Sequence, residues 1–324
     1  MRVSSYLKSE IQGTNLYDLN LEEFSVGELF YSNSILIYGY RFLEKGGFFS
    51  KSRSDFTYKY LNVTMPTEYT QKAFIHDLNN SFDEVYGICK YSCSWLNSLE
   101  SSEKYKYIYY PVSVPSELNP FSNKQYDVIY HGGIHSDKYI QMLDIMSRFS
   151  YRFATMSRGI NSLTQQALRE YATNVDLSPN AKYSLLNDCK ISIAFNTFPL
   201  NYGQIENIQN KPDWDKNLAF SHLEQEIAPQ FKSRVNEAAA LGVINLIEYD
   251  NWNLVEDFYQ PNKDFMYFTN MSDLKNKIQY ILNNYDQFWD MRVNAYKKSL
   301  RYTRKNAYFD IATTSNWPAI ITQI

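Results

Sequence analysis

Residues Phe231–Gly242 read F-K-S-R-V-N-E-A-A-A-L-G and lead into the apolar run V-I-N-L-I-E-Y, Val243–Tyr249. The spacing predicts a helix opened by Ser233 between two cations, Lys232 and Arg234. Glu237 lies a turn inside it, and Gly242 ends it before a buried strand. Free N–H groups and the helix dipole draw anions to such an N-terminus. Lys232 and Arg234 add formal charge, and a guanidinium can bind phosphate oxygens through two parallel hydrogen bonds. Glu237 follows Arg234 at i+3, hence on the same face. Taken alone, the pattern also describes a surface helix with a solvated Arg–Glu pair. A second element strengthens the anion reading. His131-Gly132-Gly133-Ile134-His135-Ser136-Asp137-Lys138 follows the strand candidate Asp127–Tyr130. The two glycines let backbone approach a ligand, and Lys138 begins the next helix. Ligands of parallel α/β sheets sit at the carboxyl ends of strands, so Lys138, Lys232 and Arg234 can converge on one diphosphate.

The elements that must position these residues alternate in type. Helical spacing is expected over Lys138–Phe149 and Ala181–Leu186. Strands are expected at Tyr151–Met156, Ile191–Phe195, Val243–Tyr249 and Phe265–Phe268. A long amphipathic helix, Met271–Asn283, takes Ser272 as its N-cap and buries Leu274, Ile278, Ile281 and Leu282. Short apolar strands alternating with helices imply an α/β fold with a parallel sheet covered on both faces. Residues 1–115 are less regular, with strand candidates Ser34–Tyr38, Phe82–Ile88 and Lys106–Tyr110 and a helix at Cys93–Leu99. Pro111, Pro115 and the polar Ser116–Lys124 mark a hinge between domains. Asn201–Leu218 has no clear period and reads as a long loop near the site.

A length of 324 residues suggests two domains, and 44% hydrophobic against 21% charged residues allows an ordinary core. A net charge of −3 means that any polyanion must be met by a local patch. The 29 tyrosines fit an AT-rich coding bias or, alternatively, a stacking surface. Cys89, Cys93 and Cys189 lack the paired spacing of a zinc site and read as buried free thiols in a reducing compartment. The first residues have no apolar signal core, and no apolar run is long enough to span a bilayer. A cytoplasmic protein is expected, in host cytoplasm if the chain is viral. Asp213-Trp214-Asp215 has the form of a diphosphate-bound metal motif, but so short a motif arises often by chance, and no metal is expected. His131 and His135 flank the glycine turn and are either ligand contacts or structural. Arg41–Tyr60 carries Lys45, Lys51 and Arg53 among aromatics. That suits a phosphate-bearing acceptor, nucleic acid included, or else a solvated loop. The run Lys297, Lys298, Arg301, Arg304 and Lys305 reads as the solvated face of the last helix.

From about Lys124 to Arg304 the chain resembles the nucleotide-sugar-binding domain of GT-B glycosyltransferases, in particular the family 4-like group that includes spore-maturation-type proteins. The likeness rests on Tyr126–Gly133, Leu185–Asn196, Lys232–Gly242, Glu248–Tyr259 and the closing helix Met271–Asn283. It implies two Rossmann-like domains facing across a cleft, a compact acceptor domain at 1–115 and a donor domain at 116–324. It also implies transfer of a sugar from a nucleoside diphosphate sugar, a uridine diphosphate sugar on family frequency, with retention and without metal. No permanently bound cofactor is expected. By this resemblance Lys138 and Arg234 stabilise the departing diphosphate, and Gly132, Gly133, Asn196, Lys232 and Ser233 line the donor. Glu237 holds the ribose. Lys45, Lys51 and Arg53 meet the acceptor, either hydroxymethylated phage DNA or a cell-envelope glycan. The chain departs from the family in two places. Pro229 stands where a carboxylate facing the transferred sugar is usual, with Glu226 or Glu224 as the substitute, and Gly133 stands where an arginine is usual. A non-catalytic nucleotide-sugar-binding or scaffold protein is the alternative.

Overall fold

The computed structural model describes residues 11–12, 34–39, 48–49, 57–62 and 83–313, apart from 102, 158–161 and 212. The chain divides into two compact units. The first comprises Met1–Tyr110, Leu200–Gln230 and Arg304–Ile324, and the second Pro111–Pro199 and Phe231–Thr303. The expected boundary near residue 115 lies by the first crossing, Tyr110–Pro111. The chain then crosses three more times.

The first unit has a four-stranded parallel sheet in the order β1 (Ser34–Gly39), β2 (Thr57–Asn62), β3 (Glu84–Gly87), β4 (Tyr105–Tyr107). Between β3 and β4 runs α1 (Lys90–Glu100), which buries Cys93 and Leu96 and turns Trp95 onto Phe220. Cys89 occupies the N-cap position of that helix without a capping bond; its thiol and that of Cys93 are free and buried, and burial raises them above their ordinary range. The stretch expected as a loop, Asn201–Leu218, contains a helix instead, Tyr202–Gln209. The reason is a capping box: Asn201 Oδ1 accepts from the Gln204 N–H, and the Gln204 side chain accepts from the Asn201 N–H.

The second unit is built on six parallel strands. They are β5 (Tyr126–His131), β6 (Tyr151–Thr155), β7 (Asn174–Val175), β8 (Cys189–Ala194), β9 (Ile244–Glu248) and β10 (Phe265–Phe268). Their spatial order is β10-β9-β8-β5-β6-β7. The chain therefore builds outward from β5 on one side, crosses back, and builds outward from β8 on the other. That reversal creates a crevice between the carboxyl ends of β5 and β8, where α/β sheets bind ligands. Side chains alternate across the sheet as a strand requires. Val128, Tyr130, Ile191, Ile193 and Leu246 pack with α2 (Asp137–Met146) and α6 (Met271–Asn283) on one face. Ile129 meets α4 (Pro179–Asn187) and α5 (Ser233–Ala240) on the other.

Two further helices, α3 (Ser162–Tyr171) and α7 (Trp289–Ser299), complete the unit. The N-cap of α6 is Asn270, not Ser272: its side chain accepts from the Asp273 N–H. Leu274, Ile278 and Ile281 are buried as expected, and Leu282 is half-buried against the same core. The basic run near the end is divided between α7 and the helix Arg304–Thr313, with Arg301 in the turn between them. It is not simply solvated, because the Lys298 ammonium bonds the buried Asp264 carboxylate at 2.5 Å.

Candidate functional site

The site begins at the end of β5. Tyr130 and His131 are buried, and Gly132 turns the chain with φ 140, a backbone state that L side chains rarely adopt. A methyl group at Gly132 would also collide with the Arg234 guanidinium. The backbone itself therefore calls for glycine, and any side chain there would push the guanidinium aside. The Tyr130 hydroxyl donates to the Gly133 carbonyl at 2.8 Å and fastens the turn.

Arg234 reaches this turn from the first helical turn of α5. Its guanidinium lies 4.7 Å from the Tyr130 ring centroid, a cation–π contact. Burial lowers its tendency to hold a proton, but Tyr130, Tyr139 and Glu237 outweigh burial and keep it firmly charged. Lys232 occupies the N-cap position and offers no side-chain oxygen to cap the helix. Ser233 is the first helical residue, half-buried, and the first turn carries no acidic residue. The Lys232 ammonium lies 5.5 Å from the Phe198 ring centroid, and burial together with Arg234 depresses its pKa. Asn196, just beyond β8, accepts from the Lys232 N–H through Oδ1 at 3.1 Å. Its Nδ2 is buried without a partner. Two cations, an uncapped helix end and an unmatched amide donor thus meet at the crevice.

Lys138 stands on the first turn of α2, 5.0 Å from the Phe195 ring centroid, and is held by Glu248 at the end of β9 at 2.6 Å. Glu237 is buried and already engaged: its Oε2 is 2.9 Å from His131 Nε2, and its Oε1 accepts from Lys182 at 2.8 Å. Tyr183 adds a hydroxyl to the same Oε1 at 3.4 Å. Burial pushes the Glu237 carboxyl up, yet His131 and Lys182 more than offset it and hold it down at about 2. His131 is kept neutral by burial, against the pull of Glu237, and its Nδ1 has no partner. Lys182, on α4, was not among the residues singled out from sequence. Its partner lies on another helix, and no local pattern announces the pair. His135 is exposed, with its ring 5.4 Å from Phe198 and 5.7 Å from Tyr139.

The second unit thus holds Gly132, Gly133, Lys138, Asn196, Lys232, Ser233, Arg234 and Glu237 around the carboxyl ends of β5, β8 and β9. Glu226 belongs to the first unit, where it is exposed on a left-handed turn with φ 55. Lys45, Lys51 and Arg53 lie outside the described residues. The Asp213 carboxylate pairs with Lys216 at 2.9 Å, and its carbonyl accepts from the Trp95 indole. Among the described residues no helix is long and apolar enough to cross a membrane.

Residues 170–307 match a family model described as glycosyl transferase-like. No curated protein matches the sequence. Among solved structures the chain is similar to an S. aureus TarM variant in complex with fondaparinux, alpha-GlcNAc-glycerol and UDP. The TM-score is 0.56 at 12% identity, over 86% of this chain and 55% of that one. A second TarM structure gives 0.53 at 11% identity, over 90% of this chain and 55% of that one. HepE of Anabaena in complex with UDP-glucose gives 0.52 at 13% identity, over 81% of this chain and 73% of that one. This chain therefore spans about half the length of TarM. It has the two-unit α/β fold of GT-B glycosyltransferases, and its residues 170–307 carry the glycosyl transferase-like pattern.

Proposed function

We propose that this protein is a glycosyltransferase that moves a sugar from a nucleoside diphosphate sugar, a uridine diphosphate sugar in the first instance, to an acceptor hydroxyl. The observation that carries the reading is the uncapped, cation-lined N-terminus of α5 at the strand-order reversal, with Arg234 nested under Gly132. The glycosyl transferase-like match over residues 170–307, which include α5, supports it, as does the likeness to HepE, which was solved with UDP-glucose.

In this reading negative charge develops on the departing diphosphate. Arg234, Lys232 and the free N–H groups of α5 stabilise it where it forms, with Lys138 joining them as it leaves Glu248. These fixed cations do the work that a divalent ion does elsewhere. Reaction with retention follows, with a phosphate oxygen taking the acceptor's proton. Glu237 holds the ribose: a carboxylate offers about four acceptor positions, and His131, Lys182 and Tyr183 use three of them. Glu226 is assigned to the transferred sugar, and Lys45, Lys51 and Arg53 to a phosphate-bearing acceptor, modified DNA or a cell-envelope glycan. The competing reading is a nucleotide-sugar binder without turnover. It draws on Pro229 and Gly133, and on the ion pairs that Lys138 makes with Glu248 and Glu237 with Lys182.

A thermal-shift panel of nucleotide sugars tests donor binding, because a ligand of the native state alone raises the melting temperature. Transfer or hydrolysis of the labelled donor that stabilises the protein then tests catalysis. Loss of turnover in folded Arg234→Ala and Glu237→Ala is the expected result. Stabilisation without turnover selects the binder, and turnover indifferent to both substitutions overturns the site.

A further inference from the structure

His135 has no part in the account so far, and this inference rests on the donor reading above. The ring folds back across the glycine turn: a β-carbon placed on Gly133 would meet His135 Nε2 at 3.1 Å and Cε1 at 3.2 Å. Phe198, from the segment after β8, and Tyr139, from α2, hold the ring in place. Lys232 and Arg234 face it from the start of α5. No carboxylate is among the groups acting on it, since Glu248 is held by Lys138 and Glu237 by His131 and Lys182. A partly exposed imidazole therefore feels two cations, at the point where the donor reading puts a diphosphate.

We propose that His135 is a diphosphate-contacting residue whose ring takes a proton from solvent when the donor binds, so that donor affinity is coupled to pH. Without ligand, burial and the two cations hold the ring at about 4, so it is neutral near pH 7. A diphosphate among the same cations reverses the field that the ring experiences. The imidazolium then donates N–H to a phosphate oxygen, a charge-assisted bond that the neutral ring matches poorly. The sign follows from linkage. The bound form holds more protons than the free form between the two pKa values, so affinity rises as pH falls through that window. The slope reaches up to about tenfold per pH unit for one proton. Lys232 is the other group that can gain a proton, because its own pKa is depressed. His131 is already engaged with Glu237.

The test is calorimetric titration of the full chain with UDP-glucose, whose diphosphate has no group titrating near neutrality, in buffers of different ionisation enthalpy between pH 5.5 and 8. Wild type is expected to take up roughly half a proton or more per ligand near pH 6 and to bind several-fold tighter there than at pH 7.5. His135→Gln should lose both effects, and His135→Lys should bind with a flat pH profile in this range. Uptake that persists in His135→Gln and disappears in Lys232→Met assigns the proton to Lys232 and overturns the proposal. So does a pH profile unchanged by His135→Gln. If neither UDP-glucose nor UDP binds wild type at all, the donor reading itself fails, and that outcome is separate from the other two.

Discussion

Helix α5 has cations at both ends, and the two ends obey opposite rules. At its C-terminus the buried Lys124 ammonium donates to the carbonyls of Pro120, Asn187 and Leu241 at 2.7–3.0 Å. Arg292 donates to the Gly242 carbonyl at 2.8 Å. Positive charge on the last carbonyls of a helix is where the dipole favours it. Burial and Arg292 pull Lys124 toward about 7, while three carbonyl acceptors ask for three N–H donors, which only the ammonium supplies. At the N-terminus Lys232 and Arg234 lie against the positive end of the same dipole, with no acidic residue in the first turn. Each lies over an aromatic face, Lys232 over Phe198 and Arg234 over Tyr130. One end is arranged for stability. The other is electrostatically unfavourable until an anion arrives, which is the state the proposed donor site requires.

The sharpest attack on this contrast is Lys124→Met. It should cost about 3–5 kcal/mol in urea denaturation, because two buried carbonyls and one half-buried carbonyl lose a charged donor. A loss below about 1 kcal/mol would mean that the C-terminal clamp is not structural. Next comes acid. The folded pKa of Glu237, about 2, lies below its ordinary 4.5, so its stabilisation is complete above the ordinary value and fades as pH falls toward 2. The amount at stake is on the order of 3 kcal/mol, and Glu237→Gln should flatten the melting profile in that window. Gly132→Ala should cost about 2 kcal/mol, through a disfavoured backbone state and displacement of Arg234. The smallest stability effect belongs to Arg234→Gln, within about 1 kcal/mol without ligand, since relief of the dipole clash offsets the lost cation–π contact. The same substitution should weaken UDP-sugar binding by at least about tenfold in a thermal-shift titration. A large loss of stability with unchanged binding would invert the comparison.

The strands and helices of the second unit were legible because each buries a face with its own period: Phe265–Phe268 and Met271–Asn283 appear with the bounds read from sequence. The motif helix was equally plain, with Ser233 at its start and Gly242, at φ 60, just past its end. The capping box at Asn201 and Gln204 was missed because a short polar helix shows no apolar stripe, only its two-residue cap. What sequence could not supply was pairing. Glu237 meets His131 and Lys182, and Lys138 meets Glu248, across separations of 55 to 110 residues. Such partners are chosen by the strand order, which brings β5, β8 and β9 side by side. The same holds for Arg234 and Gly132: each is readable alone, but their interdependence is visible only once the guanidinium is seen beneath the turn.

The chain leaves the second unit after Pro199 and returns at Phe231. Exit and return nearly touch, since Asn196 bonds the Lys232 N–H within the second unit. The excursion is tied at its own base as well, by the Leu200 N–H on the Glu226 carbonyl at 2.6 Å. In evolutionary terms this is a socket. A segment rooted at two adjacent points can lengthen, shrink or be exchanged without altering the strand order that builds the anion site. The residues between 200 and 230 can therefore change in length between those two roots, within what the packing of Phe220 on Trp95 allows, while the strand order behind them stays constant.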